Sequence, residues 1–184
     1  SNSTQFKSEM SSVARQMKLV KSEFEAARTS IKNWGNELKQ AEARSQFLNR
    51  QIDLQKQKVS LLEKAYKDSV AKKGEDAKET QNLARRLNYA TAELNKLQNQ
   101  IKQTNEYIDQ FNQKQESIRF NKEMNALSLQ MQKIQSQYRL AASEAGVFGD
   151  ELKQTQLYAD QLTKKIEVQQ KVIKRLEEEY RRII

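Results

Sequence analysis

Cysteine, proline and histidine are all missing from this chain of 184 residues, and glycine occurs four times. Without His and Cys, a Ser-His-Asp triad, a Cys-His dyad, a zinc site built on those ligands and an iron-sulfur cluster cannot be assembled from this chain alone. No disulfide can form, so cysteine usage is silent on the redox compartment. The hydrophobic set is also thin, at 36% against 31% charged residues. That is too little apolar material for the interior of one compact globule. Missing proline and scarce glycine argue equally against disorder. Long amphipathic helix satisfies all of these absences, because two apolar positions in seven are enough to join helices.

Charge comes next. Basic residues number 33 and acidic ones 24, a formal net charge of +9. Such a balance attracts anionic partners, whether nucleic acid, membrane surface or an acidic protein wall. Lys, Arg and Glu nevertheless alternate along almost the whole chain without a dense basic block, as on a solvated helix surface. The doublets Lys72-Lys73, Arg85-Arg86, Lys164-Lys165 and Arg181-Arg182 lie many turns apart, so nucleic-acid contact would be weak and non-specific. No apolar run approaches the roughly 20 residues that span a bilayer, and no signal-peptide core is visible, so this segment holds no membrane anchor.

The organising pattern is an apolar stripe at alternating steps of three and four. It runs Phe6, Met10, Val13, Met17, Val20, Phe24, Ala27, Ile31, Trp34, then Leu38, Ala41, Ser45, Leu48, Ile52, Gln55, Val59, Leu62 and Tyr66. A further stretch continues through Leu83, Leu87, Ala90, Leu94, Leu97, Ile101, Thr104, Ile108 and Phe111. An average step of 3.5 residues keeps one stripe against a neighbouring helix, as in a left-handed coiled coil. Phe6, Phe24, Trp34, Tyr66, Phe111, Phe120, Tyr138, Phe148 and Tyr180 nearly all fall on this stripe, which assigns them to helix packing rather than to base stacking. Ser45, Gln55, Thr104 and Gln169 are its polar members, of the kind that fix register and strand number.

Breaks punctuate the stripe. Between Tyr66 and Leu83 the phase places Ser69, Lys73, Asp76 and Thr80 on the seam, and Gly74 sits inside this lapse. Gly74 reads as a left-handed helix stop, with Asp76 and Glu79 as a capping box for the next helix. Gly35 is a second candidate break, followed by Asn36 as a possible cap. The seam also slips between Ile118 and Phe120, making 113–121 a third candidate bend.

An internal repeat sets the organisation. Shifting residues 6–70 by 114 places them without a gap on 120–184, with 18 identities in 65 positions. Glu9-Met10 meets Glu123-Met124, Gln16-Met17 meets Gln130-Met131, and Gly35 through Gln40 meets Gly149 through Gln154. The seam therefore recurs as Met124, Met131, Ile134, Tyr138, Leu152, Leu162, Ile166, Gln169, Ile173, Leu176 and Tyr180. Residues 1–5 read as a tag or disordered lead, 6–118 as a first repeat unit, and 119–184 as a partial second unit with a break near Gly146–Gly149. The expected fold is all-α, long helices forming coiled coil, folded into hairpins or extended as a rod. Hairpins are preferred for the free chain.

Chemistry has little to work with. The carboxylates are scattered over helix surfaces with no cleft to fix a catalytic pair, and no glycine cluster has phosphate-loop spacing. The expectation is a non-enzyme without cofactor, metal site or small-molecule substrate.

The residues Gln51 through Val59 with Leu62 and Tyr66, Lys73 through Leu83, and Leu87 through Leu94 resemble the amino-terminal helical part of tail tape-measure proteins of long-tailed bacteriophages and prophages. The resemblance covers residues 9–105 and, through the repeat, 120–184. Its most specific piece is Gly74 to Leu83. Family members are far longer and carry hydrophobic segments and sometimes a wall-degrading domain, so the resemblance places this chain as one part of such a protein and transfers no catalytic residue. It implies a length ruler and assembly scaffold that self-associates as a coiled-coil dimer or trimer. It also implies tail-tube subunits and tail-assembly chaperones as partners, and residence in the host bacterial cytoplasm during assembly and then in the lumen of the virion tail. The competing reading is a cellular coiled-coil spacer or chromosome-associated arm that binds nucleic acid non-specifically.

Overall fold

The computed structural model describes residues 2–30, 36–147 and 149–184. Their regular structure consists of four α-helices: α1 Asn2–Ser30, α2 Glu37–Lys73, α3 Lys78–Val147 and α4 Glu151–Ile183. The all-α expectation therefore holds. Helix already begins at Asn2, so residues 2–5, expected as a disordered lead, belong to α1. Trp34 and Gly35, and with them the candidate break there, lie outside the described residues. The chain divides into two compact units, Ser1–Phe111 and Asn112–Ile184.

The first unit packs α1, α2 and the front of α3 side by side. Phe24 stacks on Phe47 with ring centroids 4.5 Å apart, and the Gln51 amide donates to the Met17 carbonyl at 3.2 Å. Rising numbers on α1 thus meet falling numbers on α2, and the two run antiparallel. Falling back again, α3 places Thr80 beside Ser69, Ala90 beside Gln55 and Asn105 beside Ser45. Two apolar clusters result. Val13, Val20 and Leu54 form one with Met17, Phe47 and Leu61. Leu62, Leu83 and Ala90 form the other with Phe6, Met10, Val59, Tyr66 and Leu87. Phe6 and Met10 reach this second cluster from α1, so all three helices share a core.

Helix ends follow local chemistry. Asn36 caps α2, its side chain accepting from the Lys39 amide at 3.2 Å. Gly74 ends α2 at φ +82° and ψ 164°, a positive φ that side chains with a Cβ avoid, though not the left-handed helical basin. Opening α3 differs from the sequence reading: the helix starts at Lys78, and the carbonyl of Ala77, rather than that of Asp76, accepts from Gln81 at 3.0 Å. Glu79 is turned instead toward Lys73 across the turn, forming an ion pair. No helix end falls in 113–121, where the seam slip predicted a bend, because the helical residues Glu116 and Phe120 carry the half-buried stripe across the slip.

The second unit is an antiparallel hairpin of the rest of α3 with α4. Gly149 turns it at φ +66°. The Gly149 amide donates to the Gly146 carbonyl and the Asp150 amide to that of Ala145, both at 3.2 Å, the pairing of a Schellman motif. Asp150 then caps α4 by accepting from the Lys153 amide at 2.9 Å. This cap is the repeat counterpart of Asn36 to Lys39, 114 residues on.

Candidate functional site: the helix-packing surfaces

Among the described residues no cluster of acidic side chains could hold a metal ion, and no helix is long and apolar enough to cross a membrane. In the first unit the residues of the stripe are drawn inward to different degrees. Leu48, Ile52, Leu62 and Leu83 are buried, and Met10, Met17, Phe24, Leu38, Val59, Tyr66, Leu87, Leu94, Leu97, Ile101 and Ile108 are half-buried.

Polar seam residues sort into distinct roles. Gln55 is 3% exposed, and its amide donates to the Ala90 carbonyl at 2.9 Å. Ser45 donates to the Asn105 side chain at 2.9 Å, whereas Thr104 turns back onto the Gln100 carbonyl of its own helix. The lapse of the apolar stripe beside Gly74 has a structural content that sequence missed. Ser69 and Thr80, both buried, share a hydrogen bond of 2.6 Å, which closes the α2–α3 hairpin next to its turn. The phase of the stripe puts both on the seam, and that is the sequence signal for the pair.

A second stripe runs along α2. Phe47, Leu54 and Leu61, seven residues apart, face α1 while the expected seam faces α3. A middle helix of three needs two stripes, and the heptad spacing of these three residues could have revealed the second.

In the second unit only one of the two stripes is covered. Met124, Met131, Ile134 and Tyr138 on α3 are half-buried, as expected of seam residues. On α4, however, the expected seam of Leu152, Leu162, Ile166, Gln169, Ile173, Leu176 and Tyr180 is exposed. The other stripe of α4 packs on α3 instead, burying Gln161 and Val168. Here Gln161, Val168 and Arg175 stand where Phe47, Leu54 and Leu61 stand in the first unit. Arg175 is ion-paired with Glu123 and lies 5.3 Å over the Phe120 ring. Arg182 pairs with Glu179 and donates to Ser117 at 3.4 Å. The Arg182 hydrogen bond, followed by the charges of Arg182 and Arg175, holds the Glu179 carboxyl below the usual carboxylate range, against partial desolvation. The hairpin thus replaces part of an apolar contact with charge.

In the basic doublets, Lys73 is paired with Glu79, Arg86 lies 5.6 Å over Phe6, and Arg182 is held by Glu179. Comparison with known protein families, curated protein sequences and solved structures finds no match.

Proposed function

We propose that this chain is a helical part of a phage or prophage tail tape-measure protein. The observation that carries the reading is the ungapped repeat of 65 residues at an offset of 114, in a chain without proline. An α-helix advances about 1.5 Å per residue, so length in residues becomes distance. Extended as helix, 184 residues span about 276 Å and one repeat about 170 Å. In the free chain, hairpins cover the stripes of the first unit and one stripe of α4. In the tube the same stripes serve self-association as a coiled-coil dimer or trimer, with tail-tube subunits polymerising around it and tail-assembly chaperones attending. The net charge of +9 suits an acidic lumen wall.

Deleting one repeat, residues 6–119, from the protein in its phage tests this. Tails shortened by about 170 Å are expected; tails of unchanged length overturn the reading. Affinity for duplex DNA measured against salt addresses the chromosome-arm alternative, since a binder working through phosphate contacts shows a steep negative slope. A tape-measure segment shows little binding at physiological salt.

A further inference from the structure

In the first unit, the stripe Leu48, Ile52, Gln55, Val59, Leu62 and Tyr66 of α2 is covered by the front of α3, and Leu62 is completely buried. Adding 114 gives Leu162, Ile166, Gln169, Ile173, Leu176 and Tyr180 on α4, identical at five of the six positions. Among the described residues nothing in the second unit covers them: Leu162 is 40% exposed, Ile166 56%, Ile173 54%, Leu176 46% and Tyr180 65%. The stripe of α4 that is packed within the chain has diverged instead, Phe47, Leu54 and Leu61 becoming Gln161, Val168 and Arg175. Identity is thus kept on the uncovered face and lost on the covered one. Water alone imposes no such pattern, because exposed positions tolerate polar residues at little cost. A contiguous apolar stripe rimmed by charge marks an interaction surface.

We propose that this face of α4 binds a third helix, supplied by a partner chain, with the chemistry that residues 78–111 supply in the first unit. The partner helix runs antiparallel to α4 and carries Leu, Ile and Ala at steps of three and four. A small residue sits opposite Gln169, so that its amide reaches a main-chain carbonyl as Gln55 reaches that of Ala90. The inference rests on the repeat and the exposure of α4, and stands whether or not the tape-measure reading does.

A synthetic peptide of residues 78–111, titrated into the full chain, is the test. Saturable binding with one peptide per chain is expected, with resonance shifts at Ile166, Ile173 and Leu176. Ile166→Glu or Ile173→Glu would place an unpaired carboxylate in the new contact and weaken binding by at least about tenfold. Both positions are exposed, so helical content and melting of the variants should match the parent. A peptide carrying Leu87→Glu and Leu94→Glu should not bind. Absence of binding overturns the proposal, as does binding indifferent to both substitutions on α4. Dimerisation of the chain by itself, abolished by Ile173→Glu, also overturns it, in favour of a second copy on this face. A failure here leaves tail length untouched, and the repeat deletion then judges the ruler reading separately.

Discussion

Gln55 and Gln169 are the same residue in the same repeat position, yet one is buried on a main-chain carbonyl and the other faces water. Removing an amide from a buried hydrogen bond costs about 1–2 kcal/mol, whereas an exposed site costs within about 0.5 kcal/mol. Urea unfolding of Gln55→Ala should therefore show a clear loss and Gln169→Ala almost none. Thr80→Val would strand the buried Ser69 hydroxyl and cost about 1–3 kcal/mol by the same measurement. Glu179 adds a pH dependence. Its carboxyl is held below the usual range in the folded chain by Arg182, so its contribution is complete above the unfolded carboxylate range and is lost as pH falls through the folded value. Acid melts should show the second unit loosening below about pH 4, the ordinary carboxylate range, and Glu179→Gln should flatten that limb. At this scale sequence was partly legible. Phase alone put Gln55, Ser69 and Thr80 on a seam, but it could not separate a buried amide from its exposed repeat, because both satisfy the same spacing.

The helices themselves were legible where periodicity was long and caps were short and polar. Asn36 and Asp150 sit 114 residues apart, and each accepts from the amide three residues on. Asp150→Ala should cost about 1 kcal/mol and fray the first turn of α4, seen as faster amide exchange there. Gly74 is the other sensitive point: with φ at +82°, an alanine is strained even though a Cβ would meet no atom. Gly74→Ala should destabilise the α2–α3 hairpin by about 1–3 kcal/mol in denaturant titrations. The start of α3 was placed at Asp76 by the capping-box pattern, and Glu79 was drawn into the Lys73 ion pair instead. A short motif loses to a nearby opposite charge when the chain turns back on itself, and this charge sits six residues away. Which stripe of α4 is covered was illegible for a related reason. Two heptad-spaced stripes coexist on one helix, and periodicity does not say which neighbour is present.

Across the molecule, the repeat carries most of the meaning. Three helices and a mixed apolar core make up the first unit, while the second offers two helices with an ionic seam. A lone two-helix hairpin buries too little to be strongly protected. Hydrogen exchange should accordingly be slower for amides around Leu62 and Ala90 than for those around Leu176. Substituting Leu for Arg175 restores the residue type of the first unit and also strips a partner from Glu123, Glu178 and Glu179, so its direction is set by whether regained packing exceeds the three lost ion pairs.

That exchange of Leu61 for Arg175 makes the second hairpin responsive to its solvent. Screening shortens from about 10 Å at 0.1 M salt to about 3 Å at 1 M. The partly exposed pairs of Arg175 and Arg182 weaken over that range, while the contacts of Val13, Val20 and Leu54 do not. Two hairpins related by one repeat therefore hold latches of different kinds: one that added salt loosens and one that it leaves shut.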